Sequence, residues 1–236
     1  MTSLSALPST GYVAPQGKET VADVSGSPSR PVLCSVMSLR SGQEIYGEDD
    51  AAEHWYSLIS GAAREYALLA DGHRRIVDFL LPGDFFGFRA RHQHSLATEA
   101  IVKGTTVARY LRKSLETAAD SDPALGREIR ELAFQSISRS HARLLVLGRV
   151  TALEKVGAFL VEMADRCSDR GDRVFLPMSR YDIADYLAIS VETVSRALTE
   201  LNRCGTIRFI DKRHLYIVDR DTLDNGFEQP RRTALH

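Results

Sequence analysis

The chain has 236 residues, of which 44% are hydrophobic and 26% charged, enough material for two ordinary domains with packed cores. Its formal net charge is −1, which excludes a global basic excess, so any surface that meets phosphate must be a local patch. No apolar run approaches the roughly 20 residues that span a bilayer, and no basic stretch precedes an apolar one at the N-terminus; neither membrane association nor a signal peptide is expected, and the cytoplasm is the expected location.

Residues 1–30 are rich in Ser, Pro, Gly, Thr and Ala, a composition that buries too little surface to offset ordering entropy, so they read as a mobile arm. From 31 to about 110 the pattern turns to short strand-like runs separated by glycines. Trp55–Ile59, Arg64–Leu69 and Arg75–Leu80 are the clearest strands, and Asp71-Gly72 and Pro82-Gly83-Asp84 are the clearest turns. This half, taken as 31–119, predicts an antiparallel all-β domain.

Helical signals begin near Lys113. Asp122-Pro123 predicts a helix start, with a side-chain cap ahead of a proline at the first helical position. Along 120–150, Leu125, Ile129, Leu132, Ser136, Arg139, Arg143 and Val146 recur at alternating spacings of 4 and 3, with a second stripe through Ala133, Ile137, Leu144 and Leu147. The first stripe is expected to form the seam of a coiled-coil dimer, the alternative being a helix packed only on its own chain. Gly148 is expected to end it. A second amphipathic helix follows over Thr151–Cys167, then a polar loop and a short strand, Val174–Leu176.

Residues 179–203 read SRYDIADYLAISVETVSRALTELNR. Ser179 is placed to cap a helix over Arg180–Leu187, and Ser190 a second over Val191–Arg203. Ile183, Ala184, Leu187, Ile189, Val194 and Leu198 are spaced to lock the two together across a tight turn. That is a helix-turn-helix pattern, whose second helix enters the major groove of double-stranded DNA. Its outward face carries Glu192, Ser195 and Arg196, suited to cytosine amines, to either partner, and to guanine edges. Ser179, Arg180, Thr193, Thr199, Lys212 and Arg213 are the candidates for backbone contact. Two strand-like runs, Gly205–Ile210 and Leu215–Val218, flank a basic tip and predict a wing. Over 179–214 six Lys/Arg stand against five Asp/Glu, so the module is barely positive. Residues 151–220 are taken as this domain and 221–236 as a flexible tail.

Cys34, Cys167 and Cys204 are far apart and lack C-x-x-C spacing, so no disulfide framework, metal site or cofactor is expected. No nucleophile elbow, His-Glu-x-x-His or phosphate-cradling glycine loop is present, which argues against an enzyme. A pure interaction module would leave the Glu192, Ser195, Arg196 pattern unexplained.

The order of elements, with Leu81–Phe88 and Val191–Arg196, resembles the CRP/FNR superfamily of bacterial regulators over roughly 31–220, and most resembles its FixK branch. The resemblance implies an α+β chain: an N-terminal antiparallel β-roll of cupin-like, cyclic-nucleotide-binding-like type, a long dimerisation helix and a C-terminal winged helix-turn-helix. It implies a homodimer reading a TTGAT-NNNN-ATCAA palindrome, activating low-oxygen and nitrogen-fixation genes through RNA polymerase, with Asp71–Arg75 and Phe85–Arg91 as candidate contact loops. Two departures stand out. The stretch Gly87–Thr98 lacks the Gly-Glu and arginine arrangement that holds cyclic nucleotides, although Arg89 or Arg91 is available to an anion. The arm also has no cysteine cluster for an iron–sulfur centre. Ser179 occupies the place of a redox-sensitive cysteine found in some FixK proteins, leaving Cys204 as the candidate redox thiol. Ala188 stands where many such turns have glycine, and a left-handed conformation there costs about 1 kcal/mol. The alternative reading is a ligand- or haem-gated regulator with an effector in the β-roll, for which His73, His92 and His94 are the candidate ligands.

Overall fold

The computed structural model describes residues 18–22, 32–88, 92–167 and 173–225. The first half is two antiparallel sheets. One has five strands in the order β1 (Lys18–Ala22), β2 (Val32–Leu39), β9 (Thr105–Leu111), β4 (His54–Ser60), β7 (Phe85–Phe86). The other has four, β3 (Glu44–Tyr46), β8 (Ala97–Ala100), β5 (Ala63–Leu68) and β6 (Arg74–Leu80). Met37, Leu39, Leu58 and Val107 from the first meet Ile45, Ala63, Leu80 and Ala100 from the second in one buried cluster, the period-2 alternation of each strand turning these residues inward. β1 falls inside the segment whose composition predicted an arm. Its five residues pair with Val32–Val36 through the backbone, a bond pattern that composition does not report.

Gly61 shows why the β4–β5 corner needs glycine. Its φ is +86°, and a Cβ there would come within 2.7 Å of the Thr105 Cα. Thr105 closes the corner: its hydroxyl donates to a backbone carbonyl and accepts from the Ala62 amide at 3.2 Å.

After β9 come α1 (Arg112–Ser121), α2 (Pro123–Leu147) and α3 (Ala152–Cys167). Asp122 caps α2, its carboxylate accepting from the Ala124 and Leu125 amides, with Pro123 at the first helical position as the sequence predicted. Much of the α2 stripe expected to form a dimer seam is engaged within its own chain. Leu125 (1% exposed), Ile129 and Leu132 are buried against Trp55, Phe85, Tyr110 and Leu115 of their own chain. Ser136 is half-buried, Val146 is buried, Arg139 pairs with Asp78 and Asp84, and Arg143 reaches the carbonyls of Ile76 and Tyr186. The regular 4/3 spacing was real, but the β-roll covers that stripe. The apolar face left exposed is Phe134, Ile137, Leu144 and Leu145, the last 77% exposed.

The second half holds β10 (Arg173–Phe175), α4 (Arg180–Leu187), α5 (Val191–Arg203), β11 (Ile207–Phe209) and β12 (His214–Ile217), the strands forming a sheet in the order β10-β12-β11. A short helix α6 (Arg220–Asn225) occupies the start of the expected tail. Leu223 is fully buried there and packs where Gly157 of α3 leaves room, a contact between distant residues that the polar local sequence does not announce. No helix among the described residues is long and apolar enough to cross a membrane.

Candidate nucleic-acid interface

Both helices of the motif are started by side chains. The Ser179 hydroxyl accepts from the Asp182 amide at 3.1 Å, while the Asp182 carboxylate accepts from the Ser179 amide at 2.9 Å, a reciprocal capping box. Ser190 accepts from the Thr193 amide at 3.2 Å, and the two hydroxyls lie 3.0 Å apart. Between the helices Ala188 adopts φ 52°, ψ 47°, the left-handed conformation the sequence led us to expect; its amide and that of Ile189 turn back to the last carbonyls of α4. Ile183, Ala184, Leu187, Val194 and Leu198 are buried and fix the crossing.

This leaves the first turns of α5 open. Glu192, Arg196 and Thr199 are exposed and Ser195 half-buried, all on the face away from the core. Hydrogen bonds from its own amide and from Ser190, helped by Arg196 one turn on, hold the Glu192 carboxyl below the usual range, so it is an acceptor at neutral pH. Arg180 at the start of α4 lies 3.3 Å from the Ser195 hydroxyl, which brings a guanidinium to the edge of the same face. Thr199 donates to the Ser195 carbonyl at 2.8 Å, and Thr193 is engaged with Ser190; both hydroxyls are already used within the helix. At the wing tip Asp211 accepts from the Arg213 and His214 amides at 2.7 and 2.9 Å, closing a tight turn that presents Lys212 and Arg213 to solvent.

The near-neutral charge count of this module is misleading. Asp182 pairs with Arg64, and Asp185 accepts from the Ile76 amide at 2.6 Å; both face the β-roll. Glu200 pairs with Arg203 at 2.7 Å and Asp211 is spent on the wing turn. Of the five acids only Glu192 lies on the open face beside Arg180 and Arg196, so the surface offered to phosphate is basic. Arg64 and Asp185 were missed by sequence reasoning and Arg143 was read as part of a dimer seam, since the groups they meet across the junction, Asp182, Ile76 and Tyr186, lie more than forty residues away and no local spacing signals them.

Cys204, at the end of α5, is exposed, but its thiol donates to Glu200 at 3.3 Å and that carboxylate pushes its pKa up, against the thiolate that oxidation needs. Among the described residues no group of three or more His, Cys, Asp or Glu is arranged to hold a metal. His73 and His92 are exposed, while His94 is buried and stacked on Tyr46 with ring centroids 3.8 Å apart. Arg89 and Arg91, named as anion candidates, and with them the end of the Phe85–Arg91 loop, lie outside the described residues. Between the β-roll and the start of α2, Trp55, Phe85, Phe88 and Tyr110 pack with Leu125, Ile129 and Leu132.

The comparisons agree with this geometry. Residues 36–121 match the cyclic nucleotide-binding domain model, and residues 154–225 the Crp-like helix-turn-helix domain model. The nitrogen fixation regulation protein FixK of Rhizobium meliloti (strain 1021) is 38% identical over 214 residues, covering 90% of this chain and 97% of that protein. That of Bradyrhizobium diazoefficiens is 40% identical over 173 residues, 72% of this chain and 73% of its own length. The structure of FixK2 from Bradyrhizobium japonicum superposes with a TM-score of 0.75 at 42% identity, covering 81% of this chain and 96% of the other. The chain belongs to the CRP/FNR family of DNA-binding transcription regulators, in its FixK branch.

Proposed function

We propose that this regulator is a cytoplasmic homodimer that reads a TTGAT-NNNN-ATCAA palindrome and activates low-oxygen or nitrogen-fixation genes through contact with RNA polymerase. The observation that carries the reading is the open face of α5, where Glu192, Ser195 and Arg196 stand together at the helix's N-terminal end with Arg180 beside them. Arg196 grips a guanine edge bidentately, Glu192 accepts from a cytosine amine, and Ser195 serves either partner. Ser179, Thr193, Thr199, Lys212 and Arg213 flank them toward the backbone. The relatives named FixK carry nitrogen fixation regulation in their names, which supports the choice of genes.

Palindrome reading requires a second copy. The exposed face Phe134, Ile137, Leu144 and Leu145, at helical spacings of 3, 7 and 1, is the surface for it on α2. Two-fold symmetry would then place two copies of α5 about 34 Å apart, one turn of DNA.

The test is a titration of purified protein, without effector, on the palindrome and on a scrambled duplex at fixed salt, together with Arg196→Ala and Ile137→Asp. The expected result is preference for the palindrome, lost in Arg196→Ala, and a shift to monomer in sedimentation for Ile137→Asp. Equal affinity for both duplexes would remove the specificity claim.

A further inference from the structure

The β-roll and the DNA-reading module share more than a chain connection. One buried cluster runs without a break from Tyr66, Ile76, Phe79 and Leu81 of the β-roll into Phe159 of α3 and Tyr186 and Leu187 of α4. Phe79, Phe159 and Tyr186 form its centre, with ring centroids 5.1 to 6.1 Å apart.

Polar contacts rim this patch. Arg64 of β5 pairs with Glu99 of β8 and, across the junction, with Asp182 of α4. β6 is the edge strand of its sheet, a place where backbone groups lack a neighbouring strand. Here Ile76 of β6 donates its amide to Asp185 at 2.6 Å, and its carbonyl accepts from Arg143 of α2 at 2.6 Å. Arg143 also donates to the Tyr186 carbonyl at 3.3 Å and lies 4.6 Å over that residue's ring. The contacts that reach the DNA-reading module, through Asp182, Asp185 and Tyr186, all use α4 and leave Glu192 and Arg196 of α5 exposed. The seam therefore orients the DNA-reading module without covering its reading face.

We propose that Arg64, Arg143 and Asp185 are positioning residues for DNA reading: through β6 and α4 they hold the module in one attitude on the β-roll without an effector, and that attitude sets the half-site spacing the dimer accepts. The proposal rests on the palindrome reading above. A module free to swivel would pay ordering entropy on binding two half-sites and would tolerate several spacings, whereas a seated one pays less and accepts one.

The test compares full-length wild type, Arg64→Ala, Asp185→Ala and Asp185→Asn in two ways. Affinity is measured on palindromes whose spacer is normal, one base pair shorter or one longer, and on a single half-site. Exchange of the Ile76 amide with deuterium is measured in the absence of DNA. The expected result is that wild type prefers the normal spacer and protects Ile76. Arg64→Ala and Asp185→Ala would lose about tenfold on the normal spacer, bind the three spacers alike, keep the half-site affinity and exchange Ile76 faster. Asp185→Asn retains an acceptor for the Ile76 amide and should behave as wild type, an outcome that mere loss of packing would not produce. Unchanged Ile76 exchange in Asp185→Ala, or intact spacer preference in both alanine variants, overturns the proposal. If wild type does not distinguish palindrome from scrambled duplex, the palindrome reading fails, and the exchange comparison still decides whether the seam holds.

Discussion

Phe79 of the β-roll and Tyr186 of the first helix of the DNA-binding motif lie ring to ring, with centroids 5.1 Å apart, both buried. Residues of two different halves thus share one core, and the halves should melt together. We expect a single calorimetric transition for the chain. Phe79→Ala, a large-to-small change in that core, should cost about 3–5 kcal/mol and separate the melting of the β-roll from that of the C-terminal half. A wild-type trace already split in two would show that the shared core does not couple them.

A second expectation concerns pH. Asp78 of β6 is half-buried, facing Arg166 and Glu162 of α3, Arg139 of α2 and Asp84 of the turn after β6. Burial, and then Asp84, raise its pKa, while Arg166 and Arg139 oppose the rise; burial and Asp78 likewise raise that of Glu162 against Arg166. A carboxyl that holds its proton more tightly when folded contributes stability below its unfolded value, near 4, and loses it as pH climbs through the native value. Urea midpoints should therefore gain less from raising the pH than the rest of the carboxylates would dictate. Asp78→Asn, which cannot titrate, should show a steeper rise with pH than wild type above about pH 4. Parallel pH profiles for the two proteins would count against this account.

Ala188 offers a gain in stability. Its left-handed backbone costs an L-residue about 1–2 kcal/mol, and glycine removes that cost while losing about 0.4–1 kcal/mol through the unfolded chain's extra freedom. Ala188→Gly should thus stabilise by up to about 1 kcal/mol, a rise of roughly 2–4 °C in Tm for a chain of this size. Palindrome affinity should not change, because Ala188 lies in the turn ahead of the reading face. A fall in Tm would mean that the turn relaxes away from this conformation in solution.

Contacts to bases and to phosphates should separate by salt dependence. Glu192→Ala and Arg196→Ala are expected to cost about 1–3 kcal/mol on the palindrome and to relax preference at one base pair each. Lys212→Ala and Arg213→Ala, at the exposed wing tip, should weaken binding to every sequence alike and lower the slope of log affinity against log salt by about one each. A wing variant that changes sequence preference would reassign the tip to base reading.

The helix-turn-helix was legible because everything that makes it is local: Ser179 and Ser190 cap their own helices, and Ile183, Leu187 and Val194 meet within a few residues of chain. The start of α2 at Asp122-Pro123 was legible for the same reason. The α2 stripe was only half legible. Spacing showed that Leu125, Ile129 and Leu132 share a face, yet nothing in the spacing says whether the β-roll or a second copy covers it. Arg139 and Arg143 interrupt that stripe because they answer Asp78, Asp84 and the Ile76 carbonyl, groups that the chain brings close only after folding. β1 and α6 were unread in turn, since one rests on backbone pairing and the other on Leu223 reaching a gap at Gly157.

The unfilled edge of β6 has a consequence for protein engineering. Because Ile76 gives both its amide and its carbonyl to groups outside its sheet, the C-terminal half is not a transplantable cassette. A chimera that joins this β-roll and α2 to a relative's winged helix would leave the Ile76 amide without its acceptor unless the graft also carried an acid at position 185. Exchange of target specificity is better sought by recoding α5 alone, whose outward residues take no part in that junction.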